Sequence, residues 1–219
     1  MTTKHLASAV LIGTLAVLVV LRADADRLKN ATDVVNQMVT GGDKGIPASL
    51  FAKAKCAVVI PSVKKAALGI GGQYGAGYAS CRKGSGWTAP ASVKIEGGNA
   101  GLEIGGVATD VILLVMNDTG MQNILNDKFT FGANAGVAAG PVGREASAQT
   151  DATLHAGILA YSHSKGAFAG LALEGSSLHE DSSENKALYG KEISNKEILA
   201  GGVKVPDMAQ AFIAALSKH

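Results

Sequence analysis

Tyr161, Ser162 and Lys165 occur together in a stretch, YSHSKGAFAGLALEGS, whose residue types and spacings match two kinds of catalytic site. The Tyr-x-x-x-Lys spacing is typical of short-chain dehydrogenases, and the Ser-x-x-Lys spacing is typical of penicillin-binding enzymes. A dehydrogenase also needs a G-x-G-x-x-G turn that opens a helix, whereas the glycines of 69–77 lack that register and lead into a strand-like run. A penicillin-binding enzyme needs a later Lys-Thr-Gly element, which this sequence lacks. We therefore predict that the stretch is strand and turn, and that the protein is not an enzyme.

The other polar residues form no pattern typical of a metal or cofactor site. His155, His163 and His179 are scattered and lack the i, i+4 spacing of a zinc-binding helix. The acidic run HEDSSEN at 179–185 contains oxygen ligands for a cation, but short acidic clusters are usually solvated turns. The sequence therefore predicts no metal and no cofactor.

The N-terminal residues predict an export signal followed by one domain. A short polar start precedes an almost unbroken apolar run at 6–21, and the Ala-Asp-Ala sequence that ends at Ala25 has the arrangement that signal peptidase cleaves. The apolar run is shorter than the ~20 residues that span a bilayer. An uncleaved anchor, with Arg22 as its flank, is the alternative. We predict a signal peptide at 1–25 and a domain at 26–219, exported to the periplasm or secreted as in bacteria.

The two cysteines, Cys56 and Cys81, predict a disulfide. Each lies in a strand-like run, CAVVIP and GYASC, and antiparallel pairing of these runs could place the cysteines opposite one another. In an exported protein a lone pair of cysteines is usually a disulfide. A metal or redox pair is the alternative, although no C-x-x-C spacing and no neighbouring histidine support it.

Hydrophobic periodicity predicts helices at both ends of the chain and one within it. Apolar residues recur every three or four positions over 26–40, which is typical of an amphipathic helix. Pro47 can open a short second helix. A capping residue and apolar spacing predict a further helix at 118–127, and the segment 206–217 begins at a proline and has one apolar face.

Between these helices the sequence predicts the strands of an antiparallel sheet. Short apolar runs such as CAVVIPSV, GAGYASC and DVILLVMN are separated by glycine or polar pairs. Glycine accounts for 28 of 219 residues, and it occurs inside strand-like runs where a bend or a close approach of backbones would need it. We therefore predict a single α+β domain with a strongly curved, barrel-like, glycine-rich antiparallel sheet, flanked by an N-terminal helix and short C-terminal helices.

Several longer segments resemble, in order and spacing, the SYLF domain family. They are IPASLFAKAKCAVVIPSVKKAALGIGGQYGAGYASCR, GWTAPASVKIEGGNAGLEIGGVATDVILLVMN, GANAGVAAGPVGREA, YSHSKGAFAGLALEGS, and NKALYG followed by ILAGGVKVP. The resemblance runs from about Ile46 to Leu216. The resemblance implies binding to membrane phospholipids, especially phosphoinositides, with participation of an amphipathic N-terminal helix in eukaryotic members. Yeast relatives also bind actin filaments, but the predicted export makes actin an unexpected partner here.

Cations beside predicted turns are the residues that the local sequence offers for such binding. A formal net charge of +2 is too low for a nucleic-acid-binding surface, so an anionic partner would have to meet a local patch. Cations in turns can reach phosphate oxygens, although many turn cations are simply solvated. The predicted lipid-binding residues are Lys64, Lys65, Arg82, Lys83, Arg144 and Lys165.

Two functions are therefore expected at this point. The first is an exported, non-catalytic module that binds an anionic phospholipid membrane surface and associates peripherally with it. The second is a structural or protein-interaction component of the cell envelope without a lipid ligand. The N-terminal helix has few cations and opposing aspartates, so we expect its apolar face to pack on the sheet rather than in a membrane.

Overall fold

The computed structural model describes residues 24–39, 45–68, 70–99, 107–126, 128–131, 136–142, 156–164, 167–169 and 175–219. Its helices are α1 (24–39), α2 (Ala48–Lys53), α3 (Asp118–Leu125), α4 (Ser182–Tyr189), α5 (Asn195–Leu199) and α6 (Gln210–Ser217), the last preceded by a 3₁₀ turn at Asp207–Ala209. The strands are β1 (Cys56–Leu68), β2 (Ile70–Lys83), β3 (Gly86–Trp87), β4 (Ala91–Asn99), β5 (Val107–Val115), β6 (Lys128–Thr130), β7 (Val137–Ala139), β8 (Ile158–Ser164), β9 (Ala167–Ala169) and β10 (Ser176–Glu180).

The described strands form one curled sheet in the order β6-β10-β4-β2-β1-β5-β8-β7, with β3 paired to β2 and β9 paired to β8. The described pairs are antiparallel except β7 with β8, which run parallel, so the sheet is mixed. The sheet curls into a half-barrel with helices packed on it. The predicted α+β fold with a curved sheet and terminal helices is confirmed.

Alternation along β1 divides the apolar residues between the two faces of the sheet. Ala57 and Val59 pack beneath α1, α2 and α6, whereas Val58 and Ile60 face α3 and α5 on the other side. The apolar residues of α1, among them Leu28, belong to the first of these two cores. The helix therefore packs on the sheet, as predicted.

The disulfide between Cys56 and Cys81 is present and joins the two central strands of the sheet. The cysteines are directly opposite one another in the antiparallel pairing of β1 and β2, with their Cα atoms 3.9 Å apart. The predicted pairing is confirmed, and both residues are buried in the core on the α3 side.

Two glycines of β2 show why this sheet needs residues without a side chain. A Cβ at Gly77 would lie 2.0 Å from the carbonyl oxygen of Val59, and one at Gly75 would lie 2.8 Å from a methyl group of Val63. Each would have to displace β1, which approaches β2 closely here. At these positions glycine is a requirement of the packing of the two strands.

Candidate interaction site

Four of the six predicted binding cations lie on β1 and β2, where the structure separates them into two pairs. Lys64 and Lys65 lie within β1, beside a break in its register, and not in the turn that the sequence suggested. Arg82 and Lys83 end β2. Because Lys64 is paired with Tyr74, eight residues of β2 separate the pairs, which is about 26 Å of strand at ~3.3 Å per residue. The four cations therefore do not form one patch.

Arg82 is held by the end of helix α2. Its Nε donates a hydrogen bond to the carbonyl oxygen of Ala54 at 3.1 Å, and its Nη2 donates to that of Phe51 at 3.3 Å. The guanidinium also lies 4.4 Å from the centre of the Trp87 ring, a cation–π contact. Burial lowers the pKa of Arg82. This side chain therefore donates to two carbonyls at the end of α2, and the carbonyl of Phe51 also accepts from the N–H of Ala54.

Lys83 has a similar structural contact. Its Nζ donates a hydrogen bond to the carbonyl oxygen of Ala200, the residue that follows α5. A cation at a helix C-terminus also interacts favourably with the helix dipole. Arg82 and Lys83 therefore connect two helices to the end of β2.

The stretch with the catalytic spacings begins inside strand β8, where Tyr161, Ser162 and His163 are buried. Tyr161 and Ser162 are neighbours on β8, so their side chains point to opposite faces of the sheet. Tyr161 packs against Gly140, where a Cβ would lie 2.1 Å from the ring, and burial raises the pKa of the Tyr161 hydroxyl. Lys165, like the predicted binding residue Arg144, lies outside the described residues.

The described residues contain no group of three or more histidine, cysteine, aspartate or glutamate side chains that could hold a metal ion. The same part of the chain has no helix long and apolar enough to cross a membrane.

A bulge in β1 produces the most unusual backbone among the described residues. The register of β1 shifts against β2 between Val59 and Lys64, and against β5 between Ile60 and Val63. Within the bulge Ser62 has a φ of 51°, which is the left-handed region that residues other than glycine rarely adopt. The Ser62 N–H donates a hydrogen bond to Oδ1 of Asp110 on β5 at 2.8 Å. The side chain of Asp110 thus holds the bulge in place.

The bulge and the first turns of α1 enclose an open cleft of about 290 Å³, which we call the bulge cleft. Its lining includes two small residues of β2, Gly75 and Ala76, which we call its floor. The lining residues are Asp26, Arg27, Asn30, Pro61, Ser62, Lys64, Tyr74, Gly75 and Ala76.

Tyr74 and Lys64 provide the large accessible side chains on the sheet side of the bulge cleft, where the small side chain of Ser62 is also exposed. Tyr74 is 52 % exposed, and among the described large hydrophobic residues only Tyr74 and Met208 are exposed. Lys64 is also exposed and is the direct cross-strand neighbour of Tyr74. Tyrosine is among the residues that dominate binding energy in protein interfaces. An exposed tyrosine beside a cation is therefore suited to contact another macromolecule.

The helical side of the cleft is fixed by Glu184 of α4. Arg27 Nη1 lies 2.8 Å from Oε2 of Glu184, and the Tyr78 hydroxyl donates a hydrogen bond to Oε1 at 3.0 Å. Burial, followed by the effect of Glu184, raises the pKa of Tyr78. Burial and the adjacent Glu184 carboxylate also raise the pKa of Asp24 to about 6. One glutamate therefore connects α1, β2 and α4 beside the cleft.

Comparison with known proteins shows which family this sequence belongs to. The family model described as "Ysc84: Las17-binding protein actin regulator" matches residues 96–219. Protein YSC84 of Saccharomyces cerevisiae is 35% identical over 185 residues, which cover 83% of this chain and 39% of that protein. SH3 domain-containing YSC84-like protein 1 of Homo sapiens is 34% identical over 185 residues, 84% of this chain and 53% of that protein.

A third relative, LAS seventeen-binding protein 3 of Saccharomyces cerevisiae strain YJM789, is 33% identical over 193 residues, which cover 86% of this chain and 42% of that protein. The chain therefore spans about half the length, or less, of these relatives. Their names and the description of the family model mention Las17, actin and SH3 domains, and none of them mentions a lipid.

These names correct the predicted partners. An anionic phospholipid membrane surface was expected and actin was not, whereas the family description indicates proteins, actin among them. The partner prediction is therefore wrong: it selected the lipid-binding property implied by the resemblance and dismissed actin because of the predicted compartment. The relatives are named as binding proteins and regulators rather than as enzymes. The resemblance itself is confirmed, and the chain belongs to the Ysc84 family of SYLF domains.

Proposed function

We propose that this domain is a non-catalytic protein-binding module that binds protein filaments of the actin type. The observation that carries the proposal is the match of residues 96–219 to a family described as an actin regulator. That match lies entirely within the present chain, although the chain spans only 39–53% of the relatives cited above. The proposal therefore assigns filament binding to the SYLF domain and not to the parts of the relatives that this chain lacks.

The described chemistry is compatible with binding rather than catalysis. The cations at the end of β2 are held by helix ends, and Tyr161 is buried in a strand. The accessible polar and aromatic groups at the bulge cleft are instead of the kind found in protein interfaces. These features support a surface that recognises a partner without transforming it.

Export is a separate proposal, based on the sequence of residues 1–25. We propose cleavage after Ala25 and a location outside the cytoplasm. The filament that the domain binds would then have to form in that compartment or reach it. N-terminal sequencing of protein recovered from the producing cell tests this point. Binding to purified filaments tests the proposed function independently of the compartment.

Sedimentation with purified actin filaments is the direct test of the proposed function. The full chain, in detergent below its micellar concentration, should appear in the pellet with filaments and remain in the supernatant without them. Microtubules are the matched control, because they form a second negatively charged protein polymer. Vesicles that contain one third phosphatidylserine test the alternative ligand. Absence of saturable binding to actin filaments, or equal binding to microtubules, would refute the proposal.

A further inference from the structure

We propose that the bulge cleft receives one loop of a partner protein, and that this loop inserts a flat apolar side chain beside a carboxylate. The inference rests on the proposed function for the identity of the natural partner. Its physical basis is local: an exposed tyrosine, an exposed lysine and a floor of small residues occur together in one concavity.

The size of the cleft limits what it can accept. Its volume of about 290 Å³ lies at the lower end of the ~300–1,000 Å³ typical of small-molecule pockets. It is also open to solvent rather than enclosed. A cleft of this size fits one or two side chains of a larger partner, and the rest of the partner would cover the rim.

The floor and the tyrosine favour an apolar, flat side chain. The floor residues Gly75 and Ala76 line the cleft together with Tyr74 and with residues of α1. Aromatic rings gain stability by stacking or by edge-to-face contact beyond the burial of their surface. An aromatic side chain that enters between Tyr74 and α1 would therefore contact a ring on one side and small residues below.

The charges of the cleft favour a carboxylate near Lys64. Arg27 is already paired with Glu184, so its charge is compensated within the protein. Lys64, on the sheet side, forms no ion pair within the described part of the chain. Asp26 lines the cleft from α1, which we call the helical lip. An incoming carboxylate would consequently be attracted to the sheet side and repelled from the helical lip. This asymmetry gives the proposed loop an orientation.

The cleft is formed before a partner arrives. The bulge is held by the hydrogen bond from Ser62 to Asp110, and α1 is held by the contact between Arg27 and Glu184. A preformed site reduces the free-energy cost of ordering groups when the partner binds. Backbone held in a rarely populated conformation is also often found at functional sites.

Peptide titration followed by NMR tests the cleft without actin. The probe is the capped peptide Gly-Asp-Glu-Phe-Gly, and the controls are Gly-Lys-Lys-Phe-Gly and Gly-Asp-Glu-Gly-Gly. We expect the probe to shift the amide signals of Tyr74, Gly75 and Ala76, and to bind at least threefold more tightly than either control. Equal affinity for all three peptides, or no shift at these amides with millimolar probe, would overturn the inference.

Variants on the two lips of the cleft separate recognition from folding. Tyr74→Ala should weaken probe binding about tenfold, in the range found for tyrosines at the centre of interfaces. Lys64→Glu should weaken binding of the acidic probe and strengthen binding of the Lys-Lys-Phe peptide, with both effects decreasing as salt increases. A merely structural role of Lys64 would not produce this exchange of preference. Failure of Lys64→Glu to alter the preference would contradict the charge argument.

The same variants connect the cleft to the proposed function. Two matched controls lie elsewhere on the surface: Met208→Ala replaces the other exposed large hydrophobic residue, and Lys196→Glu reverses an exposed cation of α5. Tyr74→Ala should weaken filament sedimentation about tenfold, and both controls should leave it unchanged. If the native chain binds filaments and Tyr74→Ala binds equally well, the cleft inference fails while the proposed function stands. If the native chain binds no filaments, the proposed function fails and the peptide titration still decides the cleft.

Discussion

Replacing Glu184 with alanine should strongly destabilise the domain, although the residue lies in a segment whose sequence is almost entirely polar. The glutamate side chain is only 10% exposed and contacts Arg27 and the Tyr78 hydroxyl on two other elements. Loss of the acceptor for the buried Tyr78 hydroxyl should cost about 1–3 kcal/mol. Arg27 is 29% exposed, so loss of its partner adds about 1 kcal/mol rather than the full cost of an isolated buried charge. We expect a total loss of about 2–4 kcal/mol.

Chemical denaturation at pH 7 measures this loss, with Glu192→Ala as the matched control. Glu192 forms an ion pair with Lys186 at 2.6 Å, but its side chain is 72% exposed. Its replacement should change the unfolding free energy by about 0.5 kcal/mol or less. Glu184→Gln should fall between the two, since the amide oxygen still accepts from Tyr78. A loss for Glu184→Ala no larger than that for Glu192→Ala would refute the role assigned to Glu184.

Four further predictions follow from other parts of the structure. In urea melts, Asp24→Asn should stabilise the full chain more at pH 7.5 than at pH 4. The pKa of Asp24 is raised to about 6, so the native state favours the protonated acid. The native protein loses this contribution to its stability as the pH rises through 6, whereas asparagine does not titrate. Ser62→Val should be about 1–3 kcal/mol less stable than Ser62→Gly, since a β-branched residue tolerates positive φ poorly, and equal thermal melts of the two variants would contradict this. Replacing both Cys56 and Cys81 with serine should lower the unfolding free energy by about 3–4 kcal/mol, and the reductant sensitivity of native melts should disappear in that variant. Asn185→Ala should lower the unfolding free energy by about 2–4 kcal/mol in the same assay. The Asn185 side chain accepts a hydrogen bond from a buried backbone N–H of β4 and donates one to α5. A loss below about 1 kcal/mol would show that water replaces this side chain.

The elements that the sequence predicted correctly are those whose signal is local. The apolar repeat at three and four positions placed α1 to within a few residues, because one face of that helix must pack on the sheet. The cysteine pair was predictable because both cysteines lie in strand-like runs at the two ends of one hairpin. Helix α3 was found at the predicted position from its apolar spacing, although its capping residue is Asn117, one position before the predicted start at 118.

Helix α4 shows where local polarity misled the prediction. The run HEDSSEN was interpreted as a solvated turn, whereas Asp181 caps a helix and accepts a hydrogen bond from the N–H of Glu184. An Asp followed three residues later by a Glu is a signal for a helix start, and it was present in the sequence. The burial of Glu184 was not predictable in this way, since its partners Arg27 and Tyr78 are far away in sequence.

The bulge of β1 had a weaker signal that the prediction did not use, since Pro61 cannot donate a hydrogen bond within a sheet. Lys64 and Lys65 were instead expected in a turn between two strand-like runs. In the structure the chain keeps its direction, and a bulge accommodates the proline within a central strand. The positions of Asp110 and Tyr74 opposite this bulge depend on strand register, which local sequence does not specify.

Arg27 contributes both to the stability of the fold and to the surface of the bulge cleft. Two sides of the cleft, β1 and β2, are fixed by the hydrogen bonds of the sheet, whereas α1 is held by its apolar face and by the contact of Arg27 with Glu184. Arg27 also lines the cleft, so Glu184 determines both where the helical side lies and how much positive charge faces the opening. Loss of Glu184 would leave the charge of Arg27 uncompensated beside the cleft and would remove a contact that holds α1. The first effect strengthens attraction for a carboxylate and decreases with salt, and the second weakens binding at every salt concentration. The fold thus couples the position of α1 to the charge that a partner meets.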